Sequence, residues 1–119
     1  MTTGIDRIAI ERMRQITGEG YDGKHDDEHD DGSLALAAAC YSASAAGKRI
    51  YVKSDFASSI VFEDPWPWED AADRRPYDGN VLKAPDEDIS IRLLEKAGAL
   101  IAAEIDRRLR AAGTPKKKR

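Results

Sequence analysis

The sequence predicts a mainly α-helical protein: a three-helix core with a long C-terminal helix and a possible short β-hairpin between the second and third helices. Three segments carry helical signals. Apolar residues recur at three- and four-residue spacing near the N-terminus, an alanine-rich run follows, and a long amphipathic pattern ends the chain. The 119 residues suit a single helical domain, which we expect at 1–113, followed by a basic flexible tail at 114–119.

The first helix is predicted between Thr3, which can cap its start, and Gly18, which can end it. Its polar face carries Arg7, Glu11 and Arg14, whose spacing predicts a ladder of surface ion pairs leading into the next segment. Its apolar stripe consists of Ile5, Ile8, Ala9, Met13 and Ile16.

The segment that follows, residues 18–32, is acidic, rich in glycine, and contains both histidines of the chain. Seven acids in residues 19–31 face Lys24 alone, and such carboxylates repel one another without a counter-ion. One interpretation is a solvated loop in which Asp30, Asp31 or Ser33 caps the next helix. The other is a site for a divalent cation, Mg²⁺ or Mn²⁺ on oxygen ligands or Zn²⁺ on imidazole. Its ligands would be His25, Asp26, Asp27 and His29.

Residues 33–46 are predicted to form a buried central helix that stops at Gly47, because alanine favours helix and lets neighbouring helices approach closely. If Tyr41 is buried there, its hydroxyl needs a polar partner. Cys40 is expected to be a small core residue. As the single cysteine it excludes an intramolecular disulfide and fits a reducing compartment. The packed face would comprise Leu34, Ala37, Ala38, Tyr41 and Ala45.

Two β-prone runs at 50–52 and 60–62 predict the hairpin, which should lie on the helices or on another subunit because an isolated hairpin is marginal in water. The next run, Asp64-Pro65-Trp66-Pro67-Trp68, cannot continue a strand or helix, because two prolines restrict the backbone. We expect its indoles either to close one end of the helical core or to stack on a planar ligand.

The last helix is predicted from Pro85 and the acids after it to Gly113. Its length of about 36 Å exceeds what a lone small core requires, so part of it is expected to pack in a homo-oligomer. Its apolar positions are Ile89, Leu93, Leu94, Ala97, Leu100, Ile101, Ile105 and Leu109.

The net charge of −3 argues against a protein whose whole surface binds nucleic acid. The basic run at 116–119 is expected to be a solvated terminus. No apolar run approaches the roughly 20 residues that span a bilayer, and the N-terminus lacks the apolar region of a signal peptide. We therefore expect no membrane partner and a cytoplasmic location.

Six motifs occur in order along the chain, at both ends and in the tryptophan loop. They are Glu11-Arg12-x-Arg14-Gln15, Glu19-Gly20-Tyr21, His25-Asp26-Asp27-x-His29, a looser set of Leu36, Ala37, Ala39 and Tyr41, then Trp66-Pro67-Trp68, and Leu94-x-Lys96-Ala97-Gly98-Ala99-Leu100-Ile101-x-Ala103-Glu104-Ile105. In combination they resemble a family of small helical proteins encoded by tailed bacteriophages and prophages. The resemblance implies an accessory protein acting in the cytoplasm of a bacterial host, of the kind that alters host nucleotide metabolism or counters host defence.

Our first functional hypothesis is a binding module for a nucleotide-like small molecule or a host protein. Its expected contacts are Glu11, Arg12, Arg14, Glu19, Tyr21, Trp66 and Trp68.

Two alternatives stay open. One is a Mg²⁺- or Mn²⁺-dependent nucleotide pyrophosphohydrolase that uses the acidic loop, loosely similar to all-helical enzymes of that class. The paired Glu-x-x-Glu and Glu-x-x-Asp helices typical of such enzymes are missing from the sequence. The other is a purely structural role, in which the acids cap helices and the tryptophans close the core.

Overall fold

The computed structural model describes residues 2–56, 58–79 and 81–113. Within these ranges the fold is mainly helical, as predicted, with a long C-terminal helix and a hairpin before it. The elements are α1 (Gly4–Gly18), α2 (Gly23–Asp27), α3 (Ser33–Ala45), β1 (Val52–Phe56), β2 (Ser59–Glu63), a 3₁₀ turn (Asp70–Ala72), β3 (Tyr77–Asp78), β4 (Val81–Leu82) and α4 (Glu87–Gly113). The predicted basic tail lies outside the described residues.

Both ends of α1 are where the sequence predicts them. The Thr3 hydroxyl accepts a hydrogen bond from the Asp6 backbone N–H, and the Asp6 carboxylate accepts one from the Thr3 backbone N–H. This reciprocal capping box satisfies two backbone donors that the first turn leaves without helical partners. The helix ends at Gly18, as expected.

The face of α1 that is buried is not its predicted apolar stripe. Glu11 is only 2% exposed and Gln15 is also buried, whereas Ile5 is 81% exposed and Met13 is exposed as well. The prediction that Glu11 belongs to a surface ladder is therefore wrong. From the apolar stripe, Ile8 packs against α4.

That contact depends on a glycine. A Cβ built on Gly98 of α4 would lie 2.5 Å from Ile8 Cδ1, closer than carbon atoms approach one another. The absence of a side chain at Gly98 therefore lets α1 pack closely on α4.

The core lies where α3 packs on α4. Its α3 members are those predicted, and the Tyr41 hydroxyl has the polar partners it needs, since it accepts from the Arg74 N–H at 3.2 Å and donates to the Ala72 carbonyl at 3.4 Å. Cys40 is buried, and burial raises the pKa of its thiol to about 11. The buried apolar cluster comprises Leu34, Ala37, Ala38, Tyr41, Leu93, Ala97, Leu100 and Ala103.

The two antiparallel hairpins lie between α3 and α4. In the first, β1 pairs with β2 in a register that places Lys53 opposite Phe62 and Asp55 opposite Ile60. Ile60 and Phe62 are both exposed, so the helices do not cover this face of the hairpin, and its packing on another subunit stays a prediction. The short pair β3–β4 lies between the 3₁₀ turn and α4.

Helix α4 begins as predicted, with the Asp86 carboxylate accepting from the Ile89 backbone N–H. Its predicted apolar positions divide between two faces. Leu93, Ala97 and Leu100 are buried in the core. The five others are exposed: Ile89, Leu94, Ile101, Ile105 and Leu109. The homo-oligomer stays a prediction.

The buried Glu11 carboxylate joins α1 to α4. It accepts hydrogen bonds from Arg14 Nε at 2.9 Å and from Gln15 Nε2 at 3.1 Å, and it forms an ion pair with Arg92 Nη1 of α4 at 2.6 Å. Lys96 Nζ lies 3.9 Å away. Burial alone would raise the pKa of Glu11, but hydrogen bonds from Arg14 and Arg92 outweigh it and lower the pKa to about 2. The carboxylate is therefore charged and surrounded by cations.

Glu11→Gln is expected to lower the free energy of unfolding by about 3 kcal/mol at neutral pH, because it leaves the surrounding cations uncompensated. A pKa lowered in the folded state stabilises the fold above the unfolded value and loses that effect as the pH falls through the folded value. The difference between the native chain and Glu11→Gln should therefore shrink as the pH falls from about 4.5 to about 2. Urea unfolding at several pH values measures this difference.

Glu19→Gln is the matched control, because Glu19 also pairs with Arg14, at 2.9 Å, but is exposed. It should cost less than about 1 kcal/mol. A difference between native protein and Glu11→Gln that stays constant down to about pH 3 would show that the carboxylate does not carry this stability.

Candidate functional site

A cleft opens beside the contact between α1 and α4, and it has two adjoining parts. The larger has a volume of about 240 Å³. We call it the aromatic compartment, and its main lining residues are Tyr21, His25, His29, Leu34, Trp68 and Leu100. The smaller, of about 60 Å³, shares Tyr21, Trp68, Ala72 and Leu100 with it. We call this part the cationic compartment, and it adds Arg14, Gln15, Glu19, Arg74 and Lys96.

A continuous series of rings forms one wall of the aromatic compartment. Tyr21 stacks on His25 with ring centroids 4.6 Å apart and an interplanar angle of 15°. His25 lies 4.9 Å from His29, which lies 5.4 Å from Trp68. These separations are typical of attractive aromatic pairs. His29 is tilted by 57° to His25 and by 59° to Trp68, so the wall offers several aromatic faces at different angles rather than one plane.

Helix α2 positions this wall, and the sequence did not predict it. The Asp22 carboxylate caps its start by accepting from the His25 N–H. Arg12 donates to the buried Asp26 carboxylate at 2.8 Å and to the Tyr21 carbonyl at 3.1 Å. Asp26 also lies 3.3 Å from His25 Nδ1. Arg12 and Asp26 therefore hold Tyr21 and His25 in place from behind.

The four residues predicted to bind a metal occupy two kinds of position. His25 and His29 line the cleft, while Asp26 is paired with Arg12 and Asp27 with Arg110 of α4 at 2.8 Å. Within the described ranges, no three His, Cys, Asp or Glu residues form a group that could hold a metal ion. The metal site stays a prediction.

Of the seven residues predicted to contact a ligand, some line the cleft and others lie outside it. Glu11 and Arg12 lie outside the cleft lining. Trp66 packs behind Trp68, with ring centroids 5.6 Å apart, and its Nε1 donates to the Glu69 carbonyl. Four line the cleft: Arg14, Glu19, Tyr21 and Trp68.

Two buried polar atoms in the cleft lining have no hydrogen-bond partner among the described residues, Gln15 Oε1 and Trp68 Nε1. The orientation of the Gln15 amide is fixed, because the Glu11 carboxylate can only accept and therefore selects Nε2. Leaving such an atom unpaired costs about 1–3 kcal/mol. Two residues of the cleft lining thus each carry a buried polar group without a partner, one an acceptor and the other a donor.

Sequence reasoning missed Gln15 and Lys96 as site residues. A signal for Gln15 was its place one helical turn after Glu11. Lys96 lies three residues after Leu93 and four before Leu100, so it interrupts the core-facing side of α4. A lysine on the core-facing side of a helix is therefore a stronger signal of a functional site than a lysine on a polar face.

Arg75 fixes the loop that carries the two tryptophans. It is buried, donates to the Asp73 carboxylate at 2.7 Å and to the Asp64 carboxylate at 3.1 Å, and lies 5.4 Å from the ring of Trp66. Burial opposes its charge, but the hydrogen bonds to Asp73 and Asp64 outweigh that effect and raise the pKa of Arg75. This clamp holds an irregular segment against the helical core.

Comparisons with protein-family models, with curated proteins and with solved structures found no match. In the part of the chain that the structure describes, no helix has both the length and the apolar character to cross a membrane.

Arg75→Met is expected to lower the free energy of unfolding by about 3–5 kcal/mol, because two partly buried carboxylates lose their shared partner. Urea unfolding followed by tryptophan fluorescence would measure it, since Trp66 lies against the clamp.

Arg49→Met provides the control. Arg49 also donates to Asp64, at 3.0 Å, but its side chain is about one third exposed, so its loss should cost less than about 1 kcal/mol. Equal costs for the two substitutions would show that Arg75 is not the clamp.

Proposed function

We propose that the protein is a binding module that holds a nucleotide-like small molecule in this cleft. The main observation behind the proposal is that an aromatic compartment adjoins a cationic one. Two residues that line them also have polar atoms without hydrogen-bond partners. Ligand sites are usually concave and mostly apolar, with a few convergent polar groups that fix orientation. The aromatic compartment is the more apolar part and the cationic compartment supplies most of the polar groups, and their combined volume is near the lower end for such sites, about 300 Å³.

A flat heterocycle suits the larger compartment. Tyr21, His25 and Trp68 supply aromatic faces, while Leu34 and Leu100 supply apolar contact. Stacking of a base on an aromatic side chain contributes about 1–3 kcal/mol and tolerates different bases.

Polar recognition would come from the unpartnered atoms. Heterocyclic bases carry donors and acceptors on their edges, and the cleft offers the Trp68 Nε1 donor and the Gln15 Oε1 acceptor. In the setting that the phage resemblance implies, such a module would alter the host nucleotide pool or withhold a nucleotide signal used in defence.

The pyrophosphohydrolase alternative has less support. It needs free carboxylates to hold Mg²⁺. Asp26 and Asp27 are engaged by arginines, and Glu11 is buried among its own cations. We therefore favour binding over hydrolysis.

The test is calorimetric titration of the protein with nucleosides and nucleoside 5′-monophosphates. Trp68→Phe should weaken binding about tenfold or more, because it removes the Nε1 donor and part of the stacking surface. Trp66→Phe is the matched control, since Trp66 lies behind Trp68 and outside the cleft lining.

The control should change affinity less than about threefold, a difference below about 0.7 kcal/mol. Thermal melts of both variants would verify that each is folded. The absence of binding by the native chain would reject the proposed function. Equal weakening by the two substitutions would show that the Trp68 indole is not a contact.

A further inference from the structure

We propose that the cationic compartment is a subsite for a single phosphoryl group, with Lys96 as its principal contact, so that the ligand is a nucleoside monophosphate. This inference rests on the proposed function, because it assigns the second half of the same ligand. Three observations support it: the unused hydrogen-bond donors of the cations, the size of the compartment, and the hydrogen-bond acceptors in its lining.

Lys96 has an ammonium group without a hydrogen-bond acceptor among the described residues. Its nearest carboxylate oxygen, Glu11 Oε2, is 3.9 Å away, which is beyond hydrogen-bond distance. The side chain is only 17% exposed, and burial lowers the pKa of Lys96. An ammonium group in this position is poorly solvated and incompletely paired. An anion in the compartment would supply the missing acceptors.

The two arginines of the compartment differ in what they can still donate. The Arg14 guanidinium is occupied by Glu11 and Glu19, through Nε, Nη1 and Nη2. Arg74 uses Nη1 on the Ala71 carbonyl, and its Nε and Nη2 donate to no described acceptor. Lys96 and Arg74 are therefore the groups able to bind an anion. Arg14 lines the cationic compartment and contributes only its positive charge.

The compartment is small, and its size limits the anion. A space of about 60 Å³ holds roughly four or five water-sized groups. That is enough for one phosphoryl group, so the further phosphates of a triphosphate would lie outside the compartment. The aromatic compartment next to it is four times larger and takes the base.

The acceptors in the lining set a further condition. Gln15 Oε1 and the Glu19 carboxylate can only accept hydrogen bonds, so a bound molecule that carries O–H or N–H donors suits this lining. A nucleoside monophosphate meets this condition through its sugar hydroxyls, and through the P–OH of its monoanion. Its phosphate oxygens would accept hydrogen bonds from the cations, and its hydroxyls would donate to the acceptors in the lining.

The experiment compares a ribonucleoside, its 5′-monophosphate and its 5′-triphosphate by calorimetry on the full chain, for each of the four bases. For the best base, the monophosphate should bind the native protein at least about tenfold more tightly than the nucleoside, the usual effect of a hydrogen bond to a charged group. The triphosphate should bind more weakly than the monophosphate.

Lys96→Met should abolish the advantage of the monophosphate over the nucleoside. Lys24→Met is the matched control. It removes the same charge from an exposed lysine of α2 that lines neither compartment, so the advantage should persist. If Lys96→Met does not fold, as judged by its thermal melt, Lys96→Gln replaces it.

Equal binding of nucleoside and monophosphate by the native chain would overturn this inference and leave the proposed function standing. An advantage that survives Lys96→Met, or a triphosphate that binds as tightly as the monophosphate, would also overturn it. If no nucleoside or nucleotide binds, the proposed function falls, and this inference falls with it.

Discussion

The buried carboxylate of Glu11 determines how the first helix meets the last, and the cleft depends on that contact. Burying a charge is unfavourable unless partners surround it, and here Arg14, Gln15 and Arg92 do so. Hydrogen bonds and ion pairs are directional, whereas apolar contacts allow a helix to rotate. The cluster therefore fixes the rotation of α1 about its own axis. It is this rotation that turns Ile5 to solvent and Gln15 toward the cleft.

A second buried ion cluster fixes the opposite wall. The segment between β2 and β3 has little regular structure, so backbone pairing alone cannot hold it. Arg75 and its two carboxylates supply that restraint and place Trp66 and Trp68 against the core. Each wall of the cleft therefore depends on a buried charged side chain that has oppositely charged side chains next to it. The small residues of α3 and α4 form the packed base between them.

Local signals predicted most of the fold, and long-range pairing accounts for what they missed. Capping by Thr3, alanine propensity in α3 and the acids before α4 act over a few residues, so they can be recognised in sequence. The burial of Glu11 depends on Arg92, which lies 81 positions away on another helix. Apolar periodicity in α1 predicted that the other face is buried. Periodicity within one helix carries no information about a carboxylate whose cationic partners lie on another helix.

The same division applies to the site. Tyr21, Glu19 and Trp68 were predicted as ligand contacts and the two histidines as metal ligands, because aromatic and charged side chains in irregular segments suggest ligand contact; all five line the cleft. The separation of Asp26 and Asp27 from the cleft was not predictable, since it depends on Arg12 and Arg110. Helix α2 was missed because five residues are too short to show a period.

The ion cluster also sets the chemistry of the cleft. Glu11 can only accept, so it takes the nitrogen of Gln15 and leaves the oxygen as an unpaired acceptor. The same carboxylate attracts Lys96 but stands too far away to accept its hydrogen bonds. An apolar residue in place of Glu11 could pack α1 on α4 as stably, since buried ion pairs are often no more stabilising than apolar contacts. It would not orient Gln15 or draw a partly paired ammonium toward the cleft. The value of a charge at this position is therefore better explained by what it arranges at the site than by stability alone.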